Sequence, residues 1–194
     1  MKNDKKSGPA LVIDIIIIVS TILSALCFVL YYGNIFTKTP VLWAGICTFV
    51  IFYQMFLRIF MGKITKHIKI NRQSFWFKEK PFEKKLYGIL RVRKWKDKVS
   101  TYDPDAFSRE KHSWDEIASA MTKAELDHWI NEIISLFGMS FSLIWGKPFL
   151  FITVSLFAML FDAQYIVLQR FHRPKAEKII KAEKRKLHKE YTSV

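Results

Sequence analysis

The chain has 194 residues, 51% of them hydrophobic, and carries 31 Lys and Arg against 17 Asp and Glu, a formal net charge of +14 at pH 7. The apolar residues are gathered into blocks, which excludes an ordinary basic soluble domain. Two cysteines, both inside those blocks and without metal spacing, exclude a disulfide framework.

In chain order, residues 10–33 are apolar except for Asp14, two Ser, one Thr and two Tyr, and residues 40–62 are apolar with one Arg near the end. Each is long enough to cross a hydrocarbon layer of about 30 Å as a helix. The first is too long for a signal peptide and no small-residue cleavage pattern follows it, so it is expected to stay in the mature chain. Residues 126–145 and 148–168 give two further, more polar spans. The expected fold is an all-α integral membrane protein with four transmembrane helices in a single domain over 1–194.

Orientation follows from the basic residues. The N-terminus (Lys2, Lys5, Lys6), the 63–124 segment with 16 Lys and Arg, and the tail after Leu168 with nine belong on one side, whereas the short hairpins carry only Lys38 and Lys147. Positive segments stay cytoplasmic, which places both termini of a multi-pass cell-membrane protein inside.

The cytosolic segment 63–124 has its own pattern. Residues 81–98, PFEKKLYGILRVRKWKDK, put Phe82, Leu86, Ile89 and Leu90 at helical spacing with Lys and Arg elsewhere. Such a basic amphipathic stretch lies on a membrane surface, its charges toward anionic inner-leaflet lipids, and Trp76 and Trp95 suit the same interface. That accounts for the charge without nucleic acid, for which no fingerprint is present. Two capping boxes follow. Ser113 to Glu116 starts a short helix ending near Met121, and Thr122 to Glu125 starts the third span. After the fourth span, Pro174 opens a charged helix over 174–190, with Glu177 four residues before Lys181.

Ionisable groups at bilayer depth point to pairing or to function. Glu125, His128, Glu132 and Ser135 share one face of the third span, and Asp162, Tyr165, Gln169 and His172 share one face of the fourth. Only Gly146 and Lys147 separate Trp145 from Pro148, so the two spans form an antiparallel hairpin. To within about a turn, its register sets Glu125 level with His172, His128 with Gln169, Glu132 with Tyr165, and Ser135 with Asp162. These groups line a cleft open to the cytosol. A hydrogen-bond network that only holds the helices together accounts for the same residues.

If the cleft is catalytic, its chemistry is constrained. It contains no cysteine, no confident metal site and no nucleophile elbow. His128 is the natural general base, with Glu125 or Glu132 to orient it. Arg170 and Arg173 at the mouth suit a phosphate or carboxylate. The combination suits transfer of an acyl group from a phosphorylated carrier to a hydroxyl.

VRKWKDKV (92–99), TKAELDHW (122–129) and QRFHRPK (169–175) resemble three signatures of the glycosyl-4,4'-diaponeurosporenoate acyltransferase family, and the likeness covers roughly residues 85–175. Members are credited with the last step of staphyloxanthin assembly, esterifying a glucose hydroxyl of a carotenoid glycoside with a fatty acyl chain. The resemblance implies catalytic roles for Glu125 and His128, a substrate region at Arg93, Lys94, Trp95 and Lys96, and a mouth at Gln169, Arg170 and Arg173. With the stripe residues Glu132, Asp162 and Tyr165, these form the expected site. The chain departs from the family pattern at 162–166, DAQYI, and at 172–175, HRPK, both along the fourth span. The expected activity is acyl transfer from acyl-CoA or acyl carrier protein to a sugar hydroxyl of a glycosylated lipid, with no bound cofactor. Two rivals are another membrane enzyme of isoprenoid lipids, a methyltransferase or reductase, and a non-enzymatic lipid-binding or assembly subunit.

Overall fold

A computed structural model describes residues 8–99 and 104–192. The described residues form helices and turns, with no strand among them. In order they are α1 (Gly8–Tyr32), α2 (Thr39–Thr65), α3 (Glu83–Ile89), α4 (Val92–Trp95), α5 (Trp114–Gly138), α6 (Ser142–Trp145) and α7 (Pro148–Thr192). Short 3-10 turns lie at Lys96–Lys98, Pro104–Phe107 and Met139–Phe141.

Three helices are long and apolar enough to cross a membrane: Leu11–Tyr32, Thr39–Thr65 and Pro148–Lys189. They leave large apolar side chains outward, among them Ile22, Val29, Phe60, Phe149 and Phe157. Helices that expose such residues instead of packing them fit a membrane.

The sequence pattern called for four spans, and the third is not one of them. Helix α5 begins at Trp114, not near residue 126, and carries Lys123, Glu125, Asp127 and Glu132 through its middle turns. Its uninterrupted end, 133–138, is too short to cross alone, and the chain then tightens into the Met139–Phe141 turn before α6. At Gly138 the close approach is steric: an added Cβ would lie 3.1 Å from Ser155 Oγ and 3.2 Å from Gln54 Nε2.

Two further boundaries moved. Thr122 does not cap a helix: α5 runs through it, and its buried hydroxyl donates to the Ala118 carbonyl at 2.8 Å. Pro174 does not start a helix but lies inside α7. An interior proline forfeits a backbone bond and costs roughly 3 kcal/mol. Packing just beyond it offsets that cost, as Ala176 and Ile180 are buried against Ala118 with Trp114 alongside.

The chain forms two compact units. The first runs to Lys63 and includes Ile133–Leu156. Its core is Ile46, Val50 and Phe151, surrounded by Phe28, Leu42, Phe141, Trp145, Leu150 and Val154. Here the 133–145 run climbs antiparallel to α2. Arg58 Nη2 donates to Ser135 Oγ at 2.9 Å, Tyr53 Oη to the Ile134 carbonyl at 2.8 Å, and Phe141 packs on Phe49 and Tyr53. At the top, Trp145 Nε1 donates to Tyr32 Oη at 3.1 Å, level with the end of α1. Gly146, at φ 62°, then turns the chain into α7, a left-handed conformation that suits glycine.

The second unit comprises Ile64–Glu132 and the chain from Phe157 onward. It holds the polar faces of α5 and α7, and α3 and α4 belong to it. The amphipathic stretch is realised as these two short helices, broken at Arg91 with φ 50°. Phe82, Ile89 and Leu90 are exposed while Glu83 is buried.

Candidate functional site

Within the second unit, α5 offers Glu125, His128 and Asn131 at three-residue intervals, so they share a face. The same part of α7 offers Asp162, Tyr165, Gln169, Arg170 and Arg173. They meet in two clusters.

The first is built on Glu125, which is fully buried. Arg170 Nη1 donates to its Oε1 at 2.6 Å, and Arg173 Nη1 donates to its Oε2. Arg170 also gives Nε and Nη2 to Glu83 Oε1 at 2.9 and 2.5 Å, and donates to the Trp76 and Lys78 carbonyls, each at 3.1 Å. All five guanidinium donors are thereby used. Arg173 Nη2 takes the carbonyl between those two, Phe77. Tyr87 Oη donates to Glu83 Oε2 at 2.8 Å, and burial, then Glu83, push its phenol well above the ordinary range. Five ionisable side chains and three successive carbonyls thus close on one another.

The second cluster is built on His128. Its Nδ1 lies 2.8 Å from Asp162 Oδ1, and Asn131 Nδ2 donates to the same oxygen at 3.1 Å. The Asp162 side chain is 0% exposed and that of His128 is 21% exposed. A carboxylate oxygen accepts, so Nδ1 carries the hydrogen, and in the neutral ring Nε2 is the nitrogen with the lone pair. The Tyr165 ring stacks on the imidazole, with centroids 4.7 Å apart and planes 8° apart. A fixed tautomer, a held ring and partial exposure are what a general base requires.

The geometry corrects the expected partnerships. Asp162, not Glu125, meets the histidine; Glu125 is held by the arginines. Arg170 and Arg173 are spent on protein groups and do not stand open for a phosphate. Ser135 is bonded to Arg58 and to Gln54 Oε1. Glu132 and His172 are half-buried and Gln169 is buried. Arg93 and Lys94 are exposed on α4, while Trp95 Nε1 donates to the Leu90 carbonyl at 2.9 Å and Lys96 pairs with Asp97 at 2.5 Å.

Asn131, Glu83, Tyr87 and the 76–78 carbonyls escaped the sequence reading. Asn131 carried a usable signal, since it continues the spacing of Glu125 and His128. Glu83 sits in a lysine-rich stretch that reads as solvated, and the 76–78 carbonyls have no side-chain signature. Asp127 lies on another face of α5, where burial raises its carboxyl against the hydroxyl of Thr65 and the charges of Lys123 and Lys66.

The family model described as glycosyl-4,4'-diaponeurosporenoate acyltransferase matches residues 73–182, more than half of the chain. The chain belongs to this family. The match encloses both clusters, and the acyltransferase family thus includes the Glu83 region that the three sequence signatures left out. Comparison with curated proteins and with solved structures finds no match.

Proposed function

We propose that the protein is a membrane O-acyltransferase that moves a fatty acyl group from a thioester carrier to a sugar hydroxyl of a glycosylated lipid or carotenoid. The carrying observation is the His128–Asp162 pair, with Nδ1 engaged at 2.8 Å and the ring partly exposed. The sugar hydroxyl attacks the thioester carbonyl as His128 Nε2 takes its proton. The new C–O bond forms, the C–S bond breaks, and the imidazolium returns the proton to the departing thiolate. Asp162, itself bonded by Asn131, and the stacked Tyr165 hold the ring, and Asp162 stabilises the charge that it acquires.

The donor is acyl-CoA or acyl carrier protein, and no bound cofactor is needed. With Arg170 and Arg173 engaged elsewhere, the exposed Arg93 and Lys94 of α4, with Lys96, are the residues offered to its phosphates. The exposed Phe82, Ile89 and Leu90 support a place for α3 and the turn after it at the membrane surface. The 133–145 run rises to Tyr32, which supports a hairpin beginning at the same end as the α1–α2 turn. Together with the basic residues, this favours both termini on the cytoplasmic side of the cell membrane.

The deciding experiment incubates the protein in membranes with labelled acyl donor and a glycolipid acceptor. His128→Ala should lower turnover by about 100-fold or more while leaving the melting temperature close to wild type. Wild-type turnover in a folded His128→Ala protein would remove the mechanism.

A further inference from the structure

A second polar site lies in the same unit but on a different face of α5. A groove of about 470 Å³ is lined by Lys66, His67, Lys69, Arg72 and Lys123 with Ile68, Ile70, Ser119 and Thr122. Arg72 is already neutralised, 2.8 Å from Asp115 and 3.8 Å from Glu177. Lys123 Nζ reaches the Lys66 carbonyl at 3.4 Å, and Lys66 and Lys69 are exposed, with no carboxylate at salt-bridge distance among the described residues, although the charge of Lys66 acts on Asp127. Asp127 is the nearby acid and lies against Thr65. Four cations, Lys66, Lys69, Arg72 and Lys123, against Asp115, Asp127 and Glu177 leave the groove positive by one charge.

Two features identify what it takes. Residues 66–72 directly follow α2, a helix fit to cross a membrane, so the groove belongs at the membrane–water boundary. Beside its cations, Ile64 and Ile68 are 41% and 42% exposed. A soluble phosphate compound has no use for those side chains, whereas a lipid brings acyl chains to cover them. The groove is also distinct from the acyl-transfer centre. At about 3.6 residues per turn, Ser119, Thr122 and Lys123 are turned roughly 120° to 180° from His128 around α5.

We propose that this groove binds the phosphate of an anionic phospholipid headgroup through Lys66, Lys69 and Lys123. Cations at this depth attract anionic lipid, and their convergence on one cavity makes a discrete site out of a diffuse field. The lipid would brace the start of the cytosolic segment and the adjacent face of α5. The inference does not depend on the proposed reaction.

The test is native mass spectrometry of the full-length protein in detergent, titrated with phosphatidylglycerol, phosphatidylcholine or coenzyme A. Wild-type protein should retain phosphatidylglycerol in preference to phosphatidylcholine, and coenzyme A should not displace it. Lys66→Gln/Lys69→Gln/Lys123→Gln should bind it about tenfold or more weakly. Removing the same charge from the exposed end of α7, by Lys184→Gln/Lys186→Gln/Lys189→Gln, should leave binding unchanged. Equal loss in both variants, unaltered binding in the first, or displacement by coenzyme A overturns the proposal. Should the triple variant not fold, Lys69→Gln alone, at an exposed position, should still weaken binding, and unchanged affinity there overturns it as well.

Discussion

Glu125 and His128 stand three residues apart on one helix, and each meets α7 through a fully buried carboxylate. They are built to different ends. Around Glu125 both carboxylate oxygens are taken by arginine, and all five donors of Arg170 are spent, two of them on backbone carbonyls. Around His128 one ring nitrogen is engaged, the other keeps its lone pair, and the side chain is 21% exposed. A saturated cluster has nothing left to offer a substrate. It can only hold, and what it holds is the Trp76–Lys78 stretch and α3 against α5 and α7. The neighbouring cluster keeps in reserve what proton transfer needs. Charge at a buried position is therefore a poor guide to chemistry until its unused donors and acceptors have been counted.

The largest effect should come from removing the centre of the saturated cluster. Glu125→Ala leaves two guanidiniums in a buried site without their shared anion, a loss of about 3 to 5 kcal/mol. Denaturant unfolding in detergent measures it. Because Arg170 also has Glu83 and Arg173 also has the Phe77 carbonyl, the lower end of that range is expected. A Glu125→Ala protein of wild-type stability that had lost turnover would break the comparison and return Glu125 to the reaction.

Next in size is the opposite kind of change. Asp162→Asn keeps the shape and removes the carboxylate that fixes the His128 tautomer. Turnover should fall by about tenfold or more while KM and melting temperature move little, since the loss is confined to the transition state. Equal loss of stability and activity would instead mark the second cluster as a brace like the first. That outcome would favour a non-enzymatic reading of the whole face.

How much of this was legible in the sequence depended on the range of the interaction. Hydropathy runs placed α1, α2 and the start of α7 within a few residues, because lipid-facing length is a local property. Three-residue spacing found the faces of α5 and α7 for the same reason. Partner choice was not local. Level positions in an ideal hairpin paired Ser135 with Asp162, yet Asp162 meets Asn131 and His128, about one and two turns away. Glu83 was invisible because its reason for being buried, Arg170, lies 87 residues away in the chain. The third span failed for a different cause: its apolar residues count toward hydropathy, but three ionisable groups, Asp127, His128 and Glu132, divide them.

The smallest effect concerns the other acid of α5 that follows a hydroxyl by three residues, and it sharpens the point about saturation. Ser113 to Glu116 and Thr122 to Glu125 have the same spacing, and only the first is a cap. Ser113 gives its amide to Glu116 Oε2 at 2.8 Å and its hydroxyl at 2.9 Å, at the exposed start of the helix. Those bonds hold the Glu116 carboxyl below its ordinary value of 4.5, the backbone bond contributing most. A lowered folded value means stability that is present above pH 4.5 and lost as pH falls through the lowered value. Ser113→Ala removes one of the bonds and the cap, and should lower melting by about 2 to 4 °C at neutral pH. The difference from wild type should shrink on acidification below pH 4.5, measured by thermal unfolding across pH. A difference that stayed constant would assign the effect to the serine alone. The second box cannot show this behaviour, because Thr122 is already bonded to Ala118 and Glu125 to two arginines. Identical spacing yields a cap only where the glutamate has no stronger partner within reach.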